Sequence, residues 1–229
     1  MAKGEARAAA VFDVDGTLVD SGYLHTLAWW EALRGLGHTV PMARIQRCIG
    51  MGTGMLLDHL LGADRDPAET EPLDAAHQAL AARFWPTLTA LPGASSLLRA
   101  CAERGWQVVV ASSASERELE VLLKVIGAHD AISAMTSADD VDQAKPAPDV
   151  VEVALRKVGA EAERSVMIGD TVWDVQAASR TGVRCVAVLT GGFSRAELLG
   201  AGAVAVYQDT AELLAGLDES VLADPSAAS

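Results

Sequence analysis

Short runs of hydrophobic, often β-branched residues recur along the chain and alternate with segments whose apolar positions repeat at helical spacing. The runs are almost continuously apolar, which predicts strands buried on both faces. They lie at residues 8–12, 106–112, 165–169, 184–190 and 203–207. Helical patterns at 94–105, 115–127 and 148–159 stand between them, and each ends in a glycine, as helix C-caps often do. This alternation predicts an α/β fold with a doubly wound parallel sheet.

One stretch interrupts the alternation. From Gly22 to Leu91 the pattern is helical throughout, and the segment "ALPGA" at 90–94 then marks the return to strand and helix. We therefore expect a small α-helical domain inserted after the first strand. The predicted organisation is a core of residues 1–20 plus 92–217, a helical insertion over 21–91 and a flexible tail over 218–229.

Composition narrows the choice of partners. Lys and Arg total 18 against 31 Asp and Glu, a formal charge of -13, which disfavours nucleic acid and anionic membranes as partners. No apolar run approaches the ~18 residues that a membrane span needs, and Asp13 interrupts the N-terminal run before a secretory signal would be complete. We expect a soluble cytoplasmic protein, either a monomer or a homodimer.

Polar side chains follow the predicted strands at their carboxyl ends, where open parallel sheets bind ligands. Asp13 and Asp15 follow the first strand, Ser112 follows the second, and Asp170 with Asp174 one helical turn later follows the third. Such carboxylates make a hard oxygen site for Mg²⁺, and one aspartate could act as nucleophile while another transfers protons. A lysine and a serine hydroxyl could orient phosphate oxygens. The set therefore suits phosphoryl transfer.

Four segments in chain order resemble the four motifs of the haloacid-dehalogenase-like hydrolase superfamily: "DVDGTLVDS", "VVVASSA", "KPAPD" and "GDTVWDV". The later segment "TGGFSRAELLGAGAVAV" is similar to the phosphoglycolate-phosphatase-like members. The resemblance implies a Rossmann-like core, a mobile helical cap inserted after the first motif, and Mg²⁺ as cofactor. It also implies a phosphatase for a small phosphorylated metabolite, either phosphoglycolate or a sugar phosphate, acting through an aspartyl phosphate.

The resemblance also implies roles for the acidic motif residues of this sequence. Asp13 is implied as the nucleophile and a Mg²⁺ ligand. Asp15 is implied as the general acid and base, with its backbone carbonyl on the metal. Asp170 is implied as a direct Mg²⁺ ligand, and Asp174 as a metal residue that acts through water or from a greater distance.

The implied phosphate-binding residues come from three of the motifs. Ser112 and Lys145 would bind the transferred phosphoryl group, with Lys145 also restraining Asp13. Thr17, together with backbone amides of its turn and at Ser113, would complete the phosphate site.

The superfamily's branches differ in features that this sequence can test. An acid/base aspartate at position 15 favours phosphate esters over dehalogenation. Phosphonatase-like and β-phosphoglucomutase-like members rely on a cap lysine, and the sequence has no lysine between Asp13 and Leu91. A phosphomutase and a catalytically slow phosphate-binding regulatory protein stay open as alternatives.

Two arginines and a glycine of the insertion are candidate substrate contacts. Arg44 or Arg47 could hold a substrate carboxylate with two parallel hydrogen bonds, and Gly50 could let a loop approach the substrate closely. His25 and Trp29 lie on the first predicted helix of the insertion, where helical packing is the favoured explanation. Asp20 with Ser21 is expected to do no more than cap that helix.

Overall fold

The computed structural model describes residues 7–140 and 143–226, so the outer ends of the predicted core and tail lie outside the described residues. The strands are β1 Ala9–Phe12, β2 Gln107–Ala111, β3 Ala134–Thr136, β4 Val166–Gly169, β5 Arg184–Val188 and β6 Ala205–Tyr207. The helices of the first half are α1 Gly22–Gly35, α2 Met42–Gln46, α3 Thr53–Leu61, α4 Thr70–Ala81 and α5 Ala94–Glu103. Those of the second half are α6 Glu116–Ile126, α7 Asp149–Val158, α8 Val172–Thr181, α9 Arg195–Ala201 and α10 Thr210–Ala215.

Within the described residues the strands form one parallel sheet in the order β3-β2-β1-β4-β5-β6. The chain moves outward from β1 to β3 on one side and from β4 to β6 on the other, so β1 and β4 are neighbours at the switch point of the topology. This arrangement confirms the predicted Rossmann-like, doubly wound α/β fold. The edge strand β3 was not predicted, because its sequence Ala-Met-Thr lies between two serines and lacks a run of β-branched apolar residues.

Both faces of the sheet are covered by helices, which explains the continuous hydrophobicity of the strands. Phe12 and its neighbours on one face pack with α5, α6 and α10. Val11 and its neighbours on the other face pack with α7, α8 and α9. Adjacent strand residues point to opposite faces, so both sets must be apolar.

Helices α1 to α4 lie between β1 and β2 in the chain and have a hydrophobic cluster of their own, which includes Trp29, Leu33 and Leu57. The two connections to this insertion run side by side. The backbone N–H of Asp20 donates to the carbonyl of Thr89 at 3.0 Å. No helix in the described part of the chain is long and apolar enough to cross a membrane.

The segment after α10 differs from the flexible tail that the sequence suggests. Leu222 is fully buried in the core on the α5 side of the sheet. Its carbonyl accepts a hydrogen bond of 3.0 Å from the indole N–H of Trp106. The chain is therefore packed against the core at this point.

Candidate active site

The loop after β1 brings its first aspartate to the switch point of the sheet. The backbone N–H of Asp13 donates to the carbonyl of Ile168 at 2.9 Å and so continues the ladder between β1 and β4 beyond the last strand residue. The chain then turns at Gly16, whose φ of +83° favours glycine. A Cβ at Gly16 would stand 2.4 Å from a carboxylate oxygen of Asp170. The turn therefore needs glycine for its conformation and for this close approach.

Three buried carboxylates meet at this point. Ligand oxygens of Asp13, Asp170 and Asp174 all lie within 4.8 Å of one another. Lys145 forms ion pairs with Asp13 and, at 2.7 Å from Nζ to Oδ1, with Asp174. All four side chains are buried. One buried cation thus faces three buried carboxylates, and the negative charge of the cluster is only partly compensated.

The protonation equilibria reflect this excess of negative charge. Burial raises the pKa of Asp13 to about 7, with Lys145 opposing the shift and Asp174 and Asp15 adding to it. Burial, with Asp13 and Asp174, raises the pKa of Asp170 well above its ordinary value. A divalent cation bound by these oxygens would stabilise the ionised carboxylates and so oppose both shifts. The donor set therefore fits Mg²⁺, which prefers oxygen ligands.

Neighbouring backbone and hydroxyl groups fix two of the carboxylates. Thr17 donates to Oδ1 of Asp170 at 2.6 Å, and a Cβ at Gly191 would lie 1.9 Å from Oδ2 of the same residue. Asp174 forms a capping box with Thr171 at the start of α8, where its Oδ2 accepts from the Thr171 backbone N–H at 3.1 Å. The structure thus places the Thr17 hydroxyl on a carboxylate of the cluster, and its phosphate-binding role stays a prediction.

Asp15 lies beside this cluster and is held by groups of α1. Its Oδ1 accepts from the Ser21 hydroxyl at 2.5 Å and lies 3.2 Å from Nε2 of His25. Burial opposes ionisation, but the bond and charge of His25, with the Ser21 bond, lower the pKa of Asp15. Ser21 directly precedes α1 and makes no side-chain capping bond, so its hydroxyl donates to the Asp15 carboxylate instead of capping the helix.

His25 was not predicted as a site residue. Its neighbours explain why its imidazole is protonated at neutral pH. Burial opposes its protonation, but Asp15 and then Glu118 raise the pKa of His25 to about 9. His77 lies 3.2 Å from the other ring nitrogen of His25, and burial together with that neighbouring charge lowers the pKa of His77 to about 3. Trp29 stacks on His77 with ring centroids 4.2 Å apart. No short motif carries this signal, because it depends on how α1 and α4 dock.

A pocket of about 110 Å³ opens between the sheet edge and the helical insertion. Its lining residues include four that the sequence predicted for catalysis or substrate binding: Asp13, Asp15, Gly50 and Ser113. The hydroxyl of Ser112 lies behind this surface, 3.5 Å from Oδ2 of Asp15. The side-chain cap of α6 is Ser115, whose hydroxyl accepts from the backbone N–H of Glu118 at 3.4 Å.

The two predicted substrate arginines do not line the pocket. Arg44 donates to the carbonyl of His59 at 3.2 Å, within the insertion. Arg47 lies 3.8 Å above the ring of Phe193 and forms an ion pair of 2.5 Å with Glu197. Arg47 therefore joins the insertion to the core.

A Rossmann-like sheet with a carboxylate and lysine cluster at its switch point, covered by an inserted helical domain, defines an α/β protein with a helical cap over a candidate active site. The family model for haloacid dehalogenase-like hydrolases matches residues 10–188, and the chain belongs to that family. It is an enzyme, a hydrolase related to phosphatases.

Individual relatives agree with this assignment. A phosphoglycolate phosphatase of Rhodospirillum rubrum is 34% identical over 215 residues, which cover 90% of this chain and 88% of the relative. Protein CbbY of Cereibacter sphaeroides is 33% identical over 227 residues, covering 92% and 96%. The crystal structure of a hydrolase from Pseudomonas syringae superposes with a TM-score of 0.88 at 36% identity, covering 93% of this chain and 99% of that one.

Proposed function

We propose that this protein hydrolyses a small phosphomonoester through a phosphorylated Asp13, with Mg²⁺ as cofactor. The observation that carries the proposal is the meeting of Asp13 with Lys145, Asp170 and Asp174. Asp13 also lines the pocket, together with Asp15. Two carboxylates separated by one residue, one paired with a lysine and the other with a histidine, supply a nucleophile and a separate proton carrier.

In the first step a carboxylate oxygen of Asp13 attacks phosphorus. The bond from phosphorus to the leaving oxygen breaks, and the leaving oxygen takes a proton through Asp15, which receives it from the protonated His25 at 3.2 Å. Lys145 holds the carboxylate of Asp13 in its ionised form and in a fixed orientation. His25 and Ser21 hold Asp15 toward the pocket, so the two carboxylates have different tasks because they have different partners.

In the second step water attacks the phosphorus of the phosphorylated Asp13. Asp15 accepts a proton from this water, the bond from phosphorus to the Asp13 oxygen breaks, and inorganic phosphate forms. This proton returns the pair of Asp15 and His25 to its starting state, so the two steps together consume one water and need no other reactant. Ser113 lines the pocket, and in this proposal its hydroxyl and the backbone N–H groups of its loop would bind phosphate oxygens.

Asp13, Asp170 and Asp174 are the residues that would hold Mg²⁺. When bound there, the ion neutralises the excess negative charge and offsets the repulsion between the nucleophile and a phosphate dianion.

The test is phosphate release from p-nitrophenyl phosphate with added Mg²⁺. Asp13→Asn should reduce turnover by roughly 10³-fold or more, because it removes the nucleophile. Asp20→Asn is the matched control, since Asp20 is exposed in the same loop and its substitution should leave turnover unchanged. Mass spectrometry of acid-quenched wild-type enzyme should find phosphate on the peptide that contains Asp13.

Two results would contradict the proposal. Unchanged turnover in a folded Asp13→Asn variant would remove Asp13 from the chemistry. Full activity in excess EDTA would remove the metal. Transfer of phosphate to a second position of the substrate without net release would instead indicate a mutase.

A further inference from the structure

The pocket wall is formed with the helical insertion seated on the core. The side-chain amide of Gln46 donates to the carbonyl of Gly191 at 2.5 Å, and the backbone N–H of Gly52 donates to the carbonyl of Lys145 at 3.4 Å. Arg47 adds its contacts with α9. These bonds tie the insertion to the loops that carry the candidate catalytic groups. The groups that line the pocket in this state are therefore those that a bound substrate meets.

Beyond the phosphate end, this wall carries an excess of negative charge. Asp15 is balanced by His25, but Asp74 and Glu118 also line the pocket. No lysine or arginine is among the lining residues in the described part of the chain. A second anionic group on the substrate would meet two carboxylates and no dedicated cation.

Neutral groups satisfy one of these carboxylates. Asp74 accepts hydrogen bonds of 2.8 Å from the hydroxyl of Thr53 and 2.8 Å from the side-chain amide of Gln78. Both donors are uncharged, so they orient the carboxylate without cancelling its charge. Asp74 therefore remains an electrostatic partner for a cation in the pocket.

The second carboxylate is buried with little compensation. Glu118 accepts from the indole N–H of Trp85 at 3.3 Å and lies 3.8 Å from Nε2 of His25, which is bonded to Asp15. Its pKa is raised by burial, which His25 opposes and to which Asp15 and Asp74 add. A substrate cation beside Glu118 would stabilise its ionised carboxylate and so oppose this rise in pKa.

We infer that the substrate is the phosphate monoester of a small amino alcohol, whose ammonium group lies between Asp74 and Glu118. This inference rests on the proposed phosphatase function and deepens it. A cavity of 150 Å³ admits benzene, so a pocket of about 110 Å³ suits a leaving group of about two or three carbons. The same wall disfavours a substrate that ends in a carboxylate or a second phosphate.

The test compares three two-carbon phosphate esters that differ at the second carbon. This carbon bears an ammonium group in phosphoethanolamine and a hydroxyl in hydroxyethyl phosphate, and it is the carboxylate carbon in phosphoglycolate. With Mg²⁺ present, kcat/KM should be highest for the ammonium ester, and at least tenfold higher than for the carboxylate ester. A highest value for the hydroxyl or the carboxylate ester would overturn the inference. p-Nitrophenyl phosphate serves as the reference with an uncharged leaving group. If the enzyme hydrolyses none of the four esters, the phosphatase function itself is overturned.

Variants locate the source of the preference. Glu118→Gln and Asp74→Asn should each reduce the ratio of ammonium to carboxylate kcat/KM several-fold while p-nitrophenyl phosphate is still hydrolysed. Asp74 is only half-buried, so its variant keeps the test valid if Glu118→Gln fails to fold. Glu120→Gln makes the same charge change on an exposed position of α6 and should leave the ratio unchanged. An unchanged ratio in folded Glu118→Gln and Asp74→Asn would also overturn the inference.

Discussion

Lys145 is the one cation among the buried groups of the candidate metal cluster. Its removal leaves the negative charge of the buried carboxylates without a partner. Lys145→Met replaces the ammonium with an uncharged side chain of similar length. Asp13 and Asp174 then lose their ion-pair partner while remaining buried. The variant should be less stable than the wild type when metal is absent.

The size of the effect follows from the burial. Removing one partner of a buried ion pair costs about 3–5 kcal/mol, because the other charge is left uncompensated. For a chain of this length each kcal/mol lowers Tm by about 2–4 °C, so Tm should fall by about 6–20 °C. Mg²⁺ and Lys145 neutralise the same oxygens. Saturating Mg²⁺ should therefore raise the Tm of Lys145→Met by more than it raises that of the wild type.

Thermal unfolding at pH 8, in EDTA and in excess Mg²⁺, measures both effects. Lys157→Met is the matched control, since Lys157 pairs with Asp140 at 2.9 Å where both side chains are about one third exposed. Such a surface pair contributes about 1 kcal/mol or less. Two results would refute the idea that Lys145 compensates the buried carboxylates. One is a Tm of Lys145→Met in EDTA equal to that of the control variant, and the other is a smaller rise in Tm with Mg²⁺ than in the wild type.

Other changes test other parts of the site. The pKa of His25 is raised from 6.5 to about 9, so its ion pair stabilises fully below pH 6.5 and is lost as pH rises through 9. His25→Gln should therefore cost up to about 3 kcal/mol in urea unfolding at pH 6 and little near pH 10; a cost independent of pH would contradict this. Gly191→Ala puts a Cβ 1.9 Å from Asp170 and should raise the Mg²⁺ concentration for half-maximal activity at least tenfold, whereas Gly54→Ala, with open space around it, should not. Arg47→Ala loses its contacts with the core and should raise KM more than it lowers kcat; equal effects would argue against a role in seating the insertion.

Much of the fold could be predicted from local pattern. The five longer hydrophobic runs became strands, since a sheet covered on both faces needs continuous apolar residues. The helical stretch after the first strand became α1 to α4 because it contains no run that could join the sheet. The edge strand β3 could not be predicted in this way, because its residues owe their extended conformation to pairing with β2.

Part of the candidate site could also be predicted from the sequence. Asp13, Lys145, Asp170 and Asp174 could be predicted as a group, and the structure brings them together. Each follows or precedes an element of the core, and parallel strands end at one shared edge, so topology alone makes them neighbours. Their roles in binding metal and phosphate remain our proposals.

Periodicity and the residues that end the strands were thus enough to predict the sheet, the insertion and the carboxylate cluster. The residues that face the leaving group follow instead from tertiary packing. It placed Arg47 against Phe193 and brought His25 and Glu118 to the pocket, residues 93 positions apart on α1 and α6. The reason is that a helix presents several faces, and which face meets the pocket depends on how the insertion packs on the core.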